Sequence, residues 1–162
     1  MEVGNCHIEH WNLLILSGGS GHEPAHAGYV GEGMLDAAVC GAIFASPNVI
    51  QIEAGLRSVQ SPLGTLVIVK NYTGDKLNFG LAVEKSRALS ENTIRVLVVD
   101  DDVSVGRTKG RMVGRRGLAG TVLIHRIAGA DAASGASLDD VYELAEYTQY
   151  LPGYDTGCAQ WL

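Results

Sequence analysis

Aliphatic residues gather in short unbroken runs, and each run stops at a stretch of small or polar residues. Leu13-Leu-Ile-Leu16 runs into Ser17-Gly-Gly-Ser-Gly-His22. Thr65-Leu-Val-Ile-Val69 runs into Lys70-Asn-Tyr-Thr-Gly-Asp75. Ile94 to Val99, interrupted by Arg95 alone, runs into Asp100-Asp-Asp102. Continuous apolar runs of this length, rich in β-branched residues, predict strands covered on both faces. Ala37 to Phe44, with Val39, Ile43 and Phe44, predicts a further strand.

Between the runs the period changes to that of a helix. Ser46-Pro47 reads as a cap followed by proline, and Val49, Ile52, Leu56 and Val59 then recur at helical spacing until Ser61-Pro-Leu-Gly64. Lys76 to Leu89 predicts a second helix, with Leu77, Leu81 and Ala88 on one side and Asp75 as its N-cap. Gly120 to Ala133 predicts a third, with Val122, Leu123, Ile127 and Ala130 turned inward. Ser137 caps a fourth, which carries Asp139 and Asp140 in its first turn and a stripe of Leu138, Val141, Tyr142 and Ala145. A short helix is expected over Glu23 to about Gly28, with Pro24 near its first position.

Strands that alternate with helices define an α/β layered domain, with a largely parallel or mixed sheet flanked by helices. Ligands of such sheets sit beyond the carboxyl ends of the strands. The loops after Leu16, Val69 and Val99 are therefore expected to meet at one edge.

Composition narrows the function classes. A chain of 162 residues, 46% hydrophobic and 19% charged, has the make-up of one globular domain and not of a disordered chain. A net charge of −6 argues against a nucleic-acid partner. No apolar run is long enough to span a membrane, and the first residues lack the pattern of a signal peptide. Cys6, Cys40 and Cys158 are dispersed and form no CxxC pair, which fits a reduced cytosolic protein. Cys40 is expected in the core.

The candidate chemistry lies at the strand ends. Glycine lets a ligand approach the main chain closely, and successive amides make an anion-binding concavity. The loop from Ser17 to His22 fits either such a cradle or a tight structural turn. It is neither a GxGxxG nor a Walker A loop. His22, at its rim, is a candidate acceptor for a substrate hydroxyl proton, or a residue bonded to nearby main chain. His22-Glu-Pro-Ala-His26 matches HExxH literally, but Pro24 disfavours a helix that carries both imidazoles, so a zinc site is not expected. Lys70 and Asp75 either cap a solvated turn or hold polar groups of a small substrate. Asp100 to Asp102 is a solvated loop more readily than a cation site. The basic segment from Arg107 to Arg116 reads as a charged surface loop, with phosphate binding as the alternative. His125 is expected to be structural.

Four separated stretches then coincide in order: Ser17-Gly-Gly-Ser-Gly-His-Glu-Pro-Ala-His-Ala-Gly-Tyr-Val-Gly31, Phe44-Ala-Ser-Pro47, Val69-Lys-Asn-Tyr-Thr-Gly-Asp-Lys-Leu-Asn-Phe-Gly80 and Gly114-Arg-Arg-Gly-Leu-Ala-Gly-Thr-Val-Leu-Ile-His125. Together they strongly resemble the substrate-binding K domain of the dihydroxyacetone (glycerone) kinases, or triokinases. The resemblance covers residues 13–148, with 1–12 an unmatched lead-in and 149–162 an unmatched tail.

The resemblance implies binding of dihydroxyacetone or glyceraldehyde for phosphorylation in triose catabolism. It implies substrate contacts from Gly19, Ser20, Gly21, His22, Lys70 and Asp75, with His22 as the acid/base residue. The family domain is longer than this chain, and the histidine that holds the substrate carbonyl covalently lies in its second half. The phosphoryl donor, ATP with Mg2+ or a phosphoprotein, works through a separate domain or subunit, so no cofactor or metal is expected on this chain. A homodimer is implied, with no nucleic-acid or membrane partner and a cytosolic location. A partial K domain is expected to be inactive alone. The alternative is a non-catalytic regulatory fragment that associates with a full-length kinase.

Overall fold

The computed structural model describes residues 12–15, 18–89, 92–105 and 113–150. In chain order the elements are β1 (Asn12–Ile15), β2 (Gly19–Ser20), a 3-10 turn (Ala27–Tyr29), β3 (Ala37–Ala38), β4 (Gly41–Ile43), α1 (Val49–Ser58), β5 (Thr65–Lys70), α2 (Thr73–Leu89), β6 (Ile94–Val99), α3 (Thr121–Ala133) and α4 (Leu138–Thr148).

The main sheet has the order β3-β1-β5-β6, and every pairing is parallel. The carboxyl ends of β1, β5 and β6 therefore lie along one edge, as the sequence predicts. Successive residues of β5 serve opposite layers, because strand side chains alternate. Leu66 and Ile68 join Leu97, Val99, Ile124, Ala128 and Val141, so α3 and α4 cover one face. Val67 and Val69 join Ile52, Leu56, Phe79 and Val83, so α1 and α2 cover the other. Burying each of the larger side chains contributes about 1.5–3 kcal/mol.

Several local expectations are corrected. The run Ala37 to Phe44 is not one strand: it divides into β3, in the main sheet, and β4, which pairs with β2 in a separate parallel pair. The segment after His22 forms a 3-10 turn from Ala27, not a helix from Glu23. The cap of α1 is Asn48, not Ser46; its side chain accepts from Gln51 N while Gln51 bonds back to Asn48 N at 2.9 Å. α2 begins at Thr73, so Asp75 lies inside its first turn and is not its cap.

The buried faces of two helices also differ from the expected ones. In α2, Leu77 and Leu81 are 68% and 52% exposed and Ala88 is exposed, while Asp75, Phe79, Ala82 and Val83 are buried. In α3 the buried arc is Thr121, Ile124, His125, Ala128, Gly129 and Ala132; Leu123 and Ala130 face outward, while Val122 and Ile127 are half-buried. Cys40 is half-buried, not a core residue.

The β2–β4 pair depends on glycine. Gly19 stands opposite Gly41, and a Cβ on Gly19 would lie 2.6 Å from Ala42 O and 2.7 Å from Phe44 C. Backbone atoms this close cannot rotate away. Gly19→Ala is expected to cost about 3 kcal/mol, read as a lowered urea midpoint. An unchanged midpoint would contradict this packing.

Candidate functional site at the carboxyl edge of the sheet

The glycine-rich loop is a structural pair before it is a cradle. Ser20 Oγ donates to Gly41 O at 2.9 Å, and Phe44 N donates to Ser20 O at 2.8 Å. The Gly21 amide, at φ +101°, donates to Glu23 Oε1 at 3.0 Å. That bond, first among its causes, holds the Glu23 carboxyl below its ordinary range. The loop's own carboxylate thus takes an amide that an anionic ligand would otherwise use. His22 is exposed at the rim, edge-on to the Phe44 ring at 4.9 Å. Phe44 is itself 68% exposed and holds φ +52°. A bulky residue at positive φ is an uncommon arrangement found at functional sites. The sequence offers no signal for it beyond the Phe44-Ala-Ser-Pro47 stretch.

Beneath the rim lies a buried polar cluster drawn from five segments. Lys70 ends β5 and is half-buried. Burial lowers its ammonium below the ordinary lysine range, against the opposing pull of Asp101 and Asp75. Asp75, 3% exposed, lies in the first turn of α2, where the helix dipole favours a carboxylate. Its Oδ1 is buried and has no hydrogen-bond partner among the described residues. Asp101 accepts from the amides of Leu118 and Gly120, the latter at 2.8 Å, and so anchors the entry to α3.

His26 and His125 complete the cluster at 3% and 0% exposure, with ring centroids 5.2 Å apart. Burial is the main cause that pushes His26 down to about 4, followed by Lys70 and His22. Burial, then His26 and Lys70, pushes His125 down to about 2. Both imidazoles are therefore neutral at ordinary pH. The electrostatic influence of His22 on His26 links the rim to this floor.

The other candidates resolve into structure. Asp102 accepts from Arg116 Nε at 3.0 Å and from the Ser104 amide at 3.1 Å, and Asp101 is committed to α3. Asp101 and Asp102 are thus buried internal braces and not the solvated loop expected of the acidic triplet. Among the described residues no group of three or more His, Cys, Asp or Glu side chains is placed to hold a metal ion. Arg115 Nε donates to Val105 O at 2.7 Å, and Asn71 Nδ2 donates to Val113 O at 3.1 Å. Both ends of the basic loop are therefore fastened; residues 106–112 lie outside the described residues. Sequence reasoning missed Asn71 and Asp101 as site-builders, and treated His26 only as half of a zinc motif.

A parallel α/β domain that gathers Lys, Asp and His side chains at the carboxyl edge of its sheet has its polar cluster where ligands of such sheets bind. Residues 9–150 match the Dak1 domain, and the chain belongs to that family. It is 58% identical over 148 residues to a dihydroxyacetone kinase of Pichia angusta, covering 89% of this chain and 24% of that protein. It is 52% identical to a dihydroxyacetone-binding subunit, DhaK, of a PTS-dependent dihydroxyacetone kinase of Listeria innocua, covering 82% of this chain and 40% of the subunit. The crystal structure of the dihydroxyacetone kinase from C. freundii in complex with AMP-PNP and Mg2+ superposes with a TM-score of 0.81 at 46% identity, over 89% of this chain and 26% of that one. The chain thus spans about a quarter of the length of the first of these relatives. No helix among the described residues is long and apolar enough to cross a membrane.

Proposed function

We propose that this chain supplies the triose-binding edge of a dihydroxyacetone kinase, holding dihydroxyacetone or glyceraldehyde while a separate domain or subunit delivers the phosphoryl group. One observation carries the reading. Lys70 is half-buried and feels the charge of Asp101 and Asp75, and Asp75 keeps a buried oxygen that no described residue satisfies. A buried acceptor without a partner costs about 1–3 kcal/mol, and a substrate hydroxyl relieves that cost. Lys70 donates to a carbonyl or hydroxyl oxygen of the triose. His22, at the open rim, takes the proton from the hydroxyl whose oxygen bonds to phosphorus as the donor's leaving group departs. The name of the PTS-dependent relative and the crystal structure with AMP-PNP and Mg2+ support a nucleotide or a PTS-linked phosphoryl donor in such kinases. The described residues offer no metal cluster, and no step here runs through one.

Calorimetric titration with dihydroxyacetone tests this. Asp75→Asn and Lys70→Met are each expected to weaken binding at least tenfold, about 1.4 kcal/mol, because each leaves a buried polar partner unmatched. His22→Asn is expected to spare binding and to abolish phosphorylation once the rest of the kinase is supplied. Equal triose affinity in Asp75→Asn and the unaltered chain would refute the assignment.

A second reading is favoured by the outer surface. Leu77 and Leu81 stand exposed beside a groove of about 400 Å3 between α2 and β6, whose lining mixes Phe79, Val83 and Val96 with Lys76, Glu84 and Arg87. The exposed leucines suit association with further kinase polypeptide, either as part of one domain or as a regulatory fragment. Co-purification with a full-length kinase is the expected outcome; its absence removes the regulatory form of the idea.

A further inference from the structure

Phe44 combines two features that burial does not explain: its side chain is 68% exposed, and its backbone is held at φ +52°. Among the described residues no other non-glycine residue stands at positive φ. That region crowds the Cβ of a bulky residue, so the surrounding structure must impose it. The surroundings do so from both sides. Phe44 N donates to Ser20 O at 2.8 Å, and Ala45 N donates to Ala42 O at 3.1 Å. Gly41 lets the chain fold back over itself: a Cβ there would lie 2.6 Å from Pro47 N and 2.8 Å from Ser46 C. The ring so placed rests on the glycine loop. A Cβ on Gly21 would lie 3.0 Å from Phe44 Cζ and 3.1 Å from its Cε1. The next residue is His22, whose ring meets that of Phe44 with centroids 4.9 Å apart and planes at 81°. Aromatic quadrupoles favour this edge-to-face geometry.

We propose that Phe44 is a positioning residue for His22: its ring, fixed by the strained backbone beneath it, holds the imidazole in the orientation from which it takes the proton of the substrate hydroxyl. This deepens the triose reading and rests on it, since it names what aims the base. An exposed imidazole with no fixed neighbour samples all its staggered rotamers. The Phe44 ring fills part of that space and removes the rotamers that would cross it. A base must lie within hydrogen-bond reach of the proton it takes, and a small misplacement of a reacting group costs a large part of the rate. Both rings also ride on one strand pair, because Phe44 directly follows β4 and His22 comes two residues after β2. The contact therefore persists when the pair shifts against the central sheet.

The test removes the ring and keeps the backbone. Phe44→Gly suits the turn, since glycine adopts positive φ without strain. Phe44→Asn uses a residue that tolerates the same region, and decides the matter if glycine loosens the turn. In the full chain labelled with 13C at histidine, with His22 assigned by His22→Asn, the variant is expected to move the His22 ring-proton shifts to those of a freely rotating histidine. Unmoved shifts overturn the proposal. With the rest of the kinase supplied, kcat is expected to fall about tenfold while KM for dihydroxyacetone changes by less than about twofold. An unchanged kcat overturns the proposal. So does a loss confined to a raised KM for the phosphoryl donor, which would make Phe44 part of a docking surface instead. The NMR readout is taken without triose. Moved His22 shifts in a protein that binds no dihydroxyacetone would refute the triose reading and leave the packing of His22 on Phe44 standing, whereas unmoved shifts in a protein that binds it would overturn the role of Phe44 alone.

Discussion

Asp101→Ala will lower unfolding stability by about 3–4 kcal/mol, the largest effect expected of any single change in the cluster. The carboxylate is 3% exposed and takes two amides, from Leu118 and Gly120, at the point where the chain turns into α3. Alanine leaves both donors buried without an acceptor. It also removes the anion that, with Asp75, opposes the desolvation of Lys70. The variant should therefore show two linked effects: a lower urea midpoint, and a Lys70 ammonium that gives up its proton at lower pH. Asp101→Asn keeps one acceptor oxygen and should lose about half as much stability. A midpoint for Asp101→Ala within experimental error of the original would mean that the turn into α3 is held by something else.

The second large effect is on acid stability. His26 and His125 are neutral in the fold, at about 4 and about 2, whereas an unfolded histidine titrates near its ordinary value of 6.5. The unfolded chain therefore binds more protons below that value. Stability is fully present above about pH 6.5 and falls as the pH drops towards the folded values. Two such groups change stability by about 2.7 kcal/mol per pH unit in the middle of this window. From pH 7 to pH 5 the loss should be about 3–4 kcal/mol, a large part of what a domain of this size holds. Asp102 adds to the loss at lower pH, because its hydrogen bonds from Ser104 and Arg116 favour the carboxylate. Urea unfolding at a series of pH values measures the slope. His125→Phe should reduce it by about half, and a flat profile between pH 7 and pH 5 would show that the two imidazoles are not buried neutral.

How much of this was legible in the sequence depended on which side chains did the burying. Thr65 to Val69 announced itself, because a strand covered on both faces is apolar nearly throughout; Ile94 to Val99 followed the same pattern except at Arg95, which reaches out to Asp139 and Tyr142. Their parallel pairing and shared edge followed from the alternation with helices. The helices misled where the buried arc carries small or polar groups. In α3 the inward residues include Thr121, His125 and Gly129, and in α2 the inward arc begins with Asp75. A reading that seeks the largest aliphatics picks Leu123, Leu77 and Leu81 instead, and those face out. The polar arcs are where the helices meet the site. The same property that builds the cluster therefore conceals it from a hydrophobicity pattern. Lys70 and Asp75 could be singled out because each follows a strand end. His26 and Asp101 could not, because their importance comes from burial, which only the fold supplies. The lead-in at residues 1–11 and the tail from 151 lie outside the described residues.

The separate β2–β4 pair has a consequence for motion. His22 hangs from a ribbon of two very short strands, fastened by glycine contacts and by Ser20. Lys70 and Asp75 grow from β5 and α2, at the centre of the molecule. Opening free energies follow local packing and hydrogen bonding, so the ribbon should open at far lower cost than the central strand. Amides of residues 19–22 should then exchange with deuterium long before those of 66–69. On the proposed reading, the residue that takes the proton and the residues that hold the triose would then run on different clocks, with the substrate held on the rigid half while the rim lets it in.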